Sequence, residues 1–158
     1  MKLDSIILFE SKSNENFYPF SVLHPVWEMR VGAKRIFEKY QQVFDSSISF
    51  YSANSLILES FLERFSIGNQ LDNTKKKLIL SSQLLPDTEL TSELDDLISD
   101  VSKNYTILLG DTIVGYYTDA SIDGLETLDD LDSSNYTKVE LESSTKYMNY
   151  IWDAISYN

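Results

Sequence analysis

The sequence of 158 residues contains no cysteine, one histidine, three prolines and five glycines. The missing thiols exclude disulfides, thiolate zinc sites, iron–sulfur clusters and cysteine nucleophiles together. With His24 alone, a histidine-based metal site would have to recruit carboxylates, and a Ser/His/Asp triad would need Ser21 or a remote serine; no signature supports either. Gly32, Gly68, Gly110, Gly115 and Gly124 are too scattered to cradle a phosphate, and GxGxxG, GxxxxGK[ST] and GxSxG are all missing. No apolar run approaches the ~20 residues of a membrane span, and Ile6 to Phe9 is too short for a signal segment. These absences lead us to expect a cytoplasmic chain without membrane contact.

Positive charge is scarce in the C-terminal half. Residues 1–77 carry 10 Lys and Arg against 9 Asp and Glu, whereas residues 78–158 carry 3 against 16, giving −12 for the whole chain. Nucleic-acid and anionic-membrane binding need the cations that the acidic half lacks, so both are excluded as partners and an anionic ligand is expected near the N-terminal half. Apolar residues are plentiful: 42% of the chain is hydrophobic and 13% aromatic, with 10 Tyr and 8 Phe, enough to build a core. The length points to a single domain over residues 1–158.

Ser5 to Glu10 is a nearly continuous apolar run, the pattern of a strand buried on both faces. A long loop follows, and then Ala33, Ile36, Phe37, Tyr40 and Phe44 fall on one helical face. Ile48 to Tyr51 is strand-like, and Asn54-Ser55 can cap a helix carrying Leu58, Phe61, Leu62 and Phe65 that Gly68 would end. Leu78 to Ser82 is a third short strand, followed by the Pro86-Asp87 turn and a helix with Leu90, Leu94, Leu97, Ile98 and Val101. Three such β-then-α units predict an α/β, Rossmann-like three-layer sandwich with a mostly parallel sheet. Tyr105 to Leu109 and Ile113 to Tyr117, separated by Gly110-Asp111-Thr112, add a C-terminal β-hairpin. Tyr136 to Glu142 alternates as a half-exposed strand, and Tyr147, Tyr150, Ile151 and Ala154 predict a last helix.

The loop after the first strand stands where open α/β folds bind ligands, at the carboxyl edge of a parallel sheet. Arg30, Lys34 and Arg35 lie just before and inside the first turns of the next helix, where a phosphate would meet guanidinium groups and a helix N-terminus; the alternative is that they face solvent while Trp27, Met29 and Val31 pack inward. His24, before a proline, reads as a hydrogen-bonding structural residue. Asp111 invites comparison with strand-end aspartates that hold magnesium, but the simpler reading is a turn residue of the Gly110-Asp111 hairpin. Asp129, Asp130 and Asp132 lack the glycine and terminal glutamate of a calcium loop and read as a solvated acidic turn.

Ile6 to Glu10, Asn16-Phe17-Tyr18-Pro19-Phe20, His24-Pro25-Val26-Trp27-Glu28-Met29-Arg30-Val31-Gly32, Leu84-Leu85-Pro86-Asp87-Thr88-Glu89-Leu90 and Trp152-Asp153-Ala154-Ile155 together resemble, in order and along nearly the whole chain, a known family. It is the N-terminal domain of divergent sugar nucleotidyltransferase-like proteins, related to bifunctional UDP-N-acetylglucosamine pyrophosphorylase/glucosamine-1-phosphate acetyltransferase. The resemblance implies a truncated nucleotidyltransferase domain that binds a nucleotide or sugar phosphate with magnesium as cofactor. Asn16, in one of the family-like stretches, joins Arg30, Lys34 and Arg35 as the candidate substrate-binding residues, and Asp111 is the candidate metal ligand. The implied reaction joins a nucleoside triphosphate and a sugar 1-phosphate into a nucleotide-sugar and releases pyrophosphate. Two departures bear on activity. Glu10 to Glu15 holds no glycine where active members carry a glycine-rich basic loop, and Ser21 stands where they carry a lysine. The alternative is a non-catalytic structural or regulatory module descended from the fold. The chain is expected to be the N-terminal part of a longer protein, whose further C-terminal region would supply oligomerisation.

Overall fold

The computed structural model describes residues 5–12, 15–142 and 144–157; Ser13 and Asn14 of the long loop lie outside the described residues. In chain order the elements are β1 (Ser5–Glu10), β2 (Arg30–Val31), β3 (Lys34–Arg35), α1 (Ile36–Val43), β4 (Ser47–Ser52), α2 (Ser55–Arg64), β5 (Lys77–Ser81), α3 (Thr88–Leu97), β6 (Tyr105–Leu109), β7 (Thr112–Thr118), β8 (Thr137–Glu140) and α4 (Asp153–Ser156). Six strands form one sheet in the order β4-β1-β5-β7-β6-β8, in which β7 alone runs antiparallel to its neighbours. The fold is α/β with a mostly parallel sheet, as expected for a Rossmann-like nucleotidyltransferase domain.

β1 is central because its residues can be buried on both faces. Ile6, Ile7 and Leu8 are fully buried and pair in register with Ile48, Ser49 and Phe50 on one side and Leu78, Ile79 and Leu80 on the other. Alternate residues then feed opposite faces. Ile6, Leu8, Leu78 and Leu80 join Trp27, Phe37, Tyr40, Phe61, Leu90 and Leu94 under the helices. Ile7, Phe9, Ile79 and Tyr116 face the other way and are covered by Ile122, Leu125, Leu128 and Leu131. The third layer of the sandwich is therefore built by the acidic connection 119–136 and its short 3₁₀ turn Leu128–Asp130 rather than by helices. The leucines and isoleucine in that stretch do the covering, while its carboxylates stay in water.

The cap expected at the start of α2 is present, and Asp87, expected as a turn residue, caps α3 in the same way. The Asn54 side chain accepts from Ile57 N at 3.4 Å, and Asp87 accepts from Leu90 N at 2.7 Å. α2 stops at Arg64 instead of running to Gly68, with Ser66 taking the positive φ of 52° that ends it. The last helix is shorter than its spacing suggested. Only Asp153–Ser156 is helical, because Tyr147 pairs with Leu84 as an isolated β-bridge and holds the preceding segment extended against the chain after β5. The hairpin turn is the two residues Gly110-Asp111, with Gly110 at φ 61°. No helix of the described residues is long and apolar enough to cross a membrane.

Gly115 fixes how closely β7 approaches β5. It pairs with Leu80, and an added Cβ would fall inside van der Waals contact of Ile79 O and 2.9 Å from Leu80 Cδ2. Backbone cannot yield as a flexible side chain can, so Gly115→Ala is expected to destabilise the fold by about 1–3 kcal/mol. Gly68→Ala, with no neighbouring atom within 4 Å, should change stability by less than ~0.5 kcal/mol. Urea denaturation of both variants checks this; equal stabilities would contradict the close β5–β7 approach.

Candidate active site

β1, β5 and β6 run in one direction, so their carboxyl ends reach the same edge of the sheet. A cleft of about 340 Å³ opens there. Ser11 follows β1, Ser81 and Gln83 end and follow β5, and Asp111 sits on the β6–β7 turn; Thr112, Thr127, Asp129 and Tyr147 complete the polar lining. Each position follows from local structure. Ser11 and Ser81 are where two apolar strands run out, and the two-residue hairpin puts Asp111 at its exposed tip. Tyr147 arrives from the C-terminal segment, which is clamped alongside by Leu85 N to Lys146 O at 2.9 Å and Met148 N to Gln83 O at 2.8 Å. The Gln83 Nε2 donates to Met148 O at 2.8 Å, which fixes the amide and leaves its Oε1 to accept from a ligand. Burial raises the Tyr147 phenol above its ordinary pKa, against the opposing hydrogen bond with Ser81, so it is a neutral hydroxyl. Among the described residues no Lys or Arg lines the cleft.

A smaller pocket of about 180 Å³ shares Ser11 with the cleft and reaches Glu10, Lys12, Tyr18, Ser21 and Asn54. Glu10 is 3% exposed. Burial pushes its carboxyl up to about 8, against the lowering bonds from Val26 N and Ser52, and nearby Glu28 adds to the rise. Glu28 is likewise buried, which alone would raise it. The Arg64 guanidinium, bonded to both carboxylate oxygens, and His24 Nδ1 at 3.1 Å outweigh that and hold it below its ordinary value. Trp27, between these two carboxyls in sequence, packs against Phe50 and Phe61. The long loop is thereby tied to β1 through Glu10 and to α2 through Glu28.

The candidate residues from the sequence divide into two places. Asp111 lines the cleft; Asn16, Arg30, Lys34 and Arg35 do not. Arg30, Lys34 and Arg35 lie on the β2–β3 ribbon, not in the first turns of α1, because Gly32 at φ 73° turns the chain back on itself. Arg30 Nη1 donates to Ala33 O at 2.8 Å, and Lys34 Nζ to Gln42 Oε1 at 2.6 Å. Arg35 N donates to Glu38 Oε2 at 2.7 Å, and its guanidinium lies 5.1 Å from the Phe65 ring centroid. The start of α1 is thus served by its own glutamate. Asn16 is exposed and accepts from Ile151 N at 3.1 Å through its carbonyl. Sequence reasoning missed Ser81, Gln83 and Tyr147 as cleft residues, and Glu10 as the buried carboxyl beside it. Glu10 carried a readable signal: a carboxylate closing a strand buried on both faces has little chance of reaching water.

A larger cleft of about 580 Å³ lies against α3, but its walls include Asp87, Glu89, Glu93, Asp96 and Glu142, a lining that repels phosphate. Comparison with protein families gives a match to the sugar nucleotidyl transferase model over residues 6–158. No curated protein matches the chain. The chain belongs to the sugar nucleotidyl transferase family.

The buried carboxyl of Glu10 makes folding pH-dependent. The unfolded chain releases this proton near the ordinary 4.5, while the folded protein keeps it to about 8, so rising pH through that window favours unfolding. Glu10→Gln removes the effect. The stability of the variant relative to wild type should rise across the window and level off above it, in chemical denaturation at stepped pH. A constant difference at every pH would contradict a protonated Glu10.

Proposed function

We propose, from this family membership, that the chain binds a nucleotide or sugar phosphate as its magnesium complex in the cleft at the carboxyl ends of β1, β5 and β6. The reaction the site suits is transfer of a nucleotidyl group from a nucleoside triphosphate to a sugar 1-phosphate, with release of pyrophosphate. The observation that carries the reading is the position of Asp111, an exposed carboxylate at the tip of the β6–β7 turn, in a cleft shared with Asp129 and the hydroxyls of Ser11, Ser81 and Tyr147.

The donor set fits magnesium in this role. Among the described residues no three His, Asp or Glu side chains cluster into an all-protein cage, and magnesium in phosphate-transfer sites takes one or two carboxylates with phosphate oxygens and water. Asp111 would hold it, with Asp129 as the second carboxylate. Bound there, the ion neutralises phosphate charge that no cleft Lys or Arg is placed to meet. The protein's own part is positioning: the Gln83 carbonyl oxygen accepts from a base or sugar N–H or O–H, and the Ser11, Ser81 and Tyr147 hydroxyls donate to phosphate or sugar oxygens. The ribbon cations stay outside, with Arg30 bonded to its own turn.

A second reading, a non-catalytic ligand-binding module, is favoured by the absence of Lys and Arg from the cleft lining. Nucleotidyl transfer needs positive charge at the departing pyrophosphate beyond a single ion.

Calorimetric titration with UTP or dTTP should show saturable binding with magnesium and none with EDTA. Asp111→Asn should weaken it about tenfold to a hundredfold, the loss of about 1.5–3 kcal/mol expected of a charge-assisted contact. Arg30→Ala should leave affinity unchanged. Binding indifferent to magnesium and to Asp111→Asn would overturn the proposed site. Pyrophosphate release on adding sugar 1-phosphate separates the two readings.

A further inference from the structure

The two edges of the sheet are treated differently. At the β4 edge, Asn69 bonds both Phe50 N and Phe50 O at 2.9 Å, and Ser49 Oγ donates to Gln70 O at 2.9 Å, so a following segment covers the edge. β8 at the opposite edge has no such cover among the described residues. Thr137 N donates to Asn104 O at 3.0 Å and Leu141 N to Leu108 O at 2.8 Å, which turns residues 137, 139 and 141 toward β6. Lys138 and Glu140 therefore point their backbone N–H and C=O outward, and both side chains are exposed.

We propose that this edge pairs with itself: two copies of the chain join antiparallel along Thr137–Glu140 about a twofold axis through Val139, making one continuous sheet. The hydrogen-bonding parity of β8 allows only registers that set outward residues opposite outward residues. One places Lys138 opposite Lys138 of the second copy, and another places Glu140 opposite Glu140. The latter would also need the outward N–H of Glu142, which already donates to Glu93 Oε1. The register centred on Val139 sets Lys138 opposite Glu140 on both rungs, with opposite charges in cross-strand contact. The spacing that makes this possible, a lysine and a glutamate two residues apart, is self-complementary. Lys138 is also one of the three basic residues between positions 78 and 158. That self-complementarity favours a second copy over a foreign strand as the occupant.

The test is sedimentation equilibrium of the full chain and of K138E, E140K and K138E/E140K. Wild type is expected to dimerise. Each single variant sets like charges opposite on both rungs and should weaken the dimer by about tenfold or more, and the double swap should restore it. Near-UV circular dichroism reports that each exposed-site variant keeps its packing. In wild type, amide exchange at Lys138 and Glu140 should slow as protein concentration rises while exchange at Val139 does not change. A wild type that stays monomeric would show the edge charges keeping copies apart and would overturn the proposal. A dimer indifferent to K138E, a folded double variant that fails to re-associate, or exchange at Lys138 and Glu140 independent of concentration would do the same.

Discussion

A proton on Glu10 underlies much of what surrounds the cleft. The central strand carries its chain direction into a carboxyl that is 3% exposed, and a charge in that place without a cation would be far too costly to keep. The group stays neutral instead and is satisfied by Val26 N and Ser52. The Val26 bond holds the start of the 3₁₀ turn Val26–Glu28 against β1, and from there Trp27 reaches Phe50 and Phe61. Glu28 solves the same problem in the other way, keeping its charge and taking Arg64 as partner. Two neighbouring carboxyls, one neutral and one paired, thus tie a long loop to the sheet on one side and to α2 on the other. Ligand space is left chiefly on the far side of Ser11, toward β5 and β6.

The charge distribution sets the chemistry open to that space. Several cations of the N-terminal half are engaged elsewhere: Arg64 with Glu28, Arg35 with Glu38 and Phe65, Lys34 with Gln42, Lys12 with Glu126. The cleft is left with two carboxylates, hydroxyls and an amide. Such a lining repels a bare phosphate, which is why the proposed ligand is a phosphate that brings a divalent ion with it.

How much could be read from the sequence follows from which interactions are local. β1, β4, β5, the β6–β7 hairpin, the capped start of α2 and the turn before α3 were legible because apolar period, Asn54, Pro86-Asp87 and Gly110 act within a few residues of themselves. The resemblance to sugar nucleotidyltransferases, carried by scattered short motifs, agrees at that level with the match over residues 6–158. Arg30, Lys34 and Arg35 do stand just before α1, Arg35 at its N-cap, but none lies inside its first turns, because helical spacing from Ala33 onward hid a ribbon turned by Gly32. Tyr147 was read as helical for the same reason; its bridge to Leu84 is a contact between distant segments that no local pattern encodes. Ser81 and Gln83 gave no signal of their own, since a serine and a glutamine after a strand become site residues only when the topology brings β1 and β6 beside them.

The most direct test of where ligand binds is a ¹⁵N–¹H titration of the folded chain with UTP and magnesium, following amide shifts residue by residue. The expected result is saturable movement concentrated at Ser11, Ser81, Gln83, Asp111 and Tyr147, lost when EDTA is added. Movement confined to Arg30, Lys34 and Arg35, or none anywhere at saturating nucleotide, would contradict a cleft-bound magnesium complex.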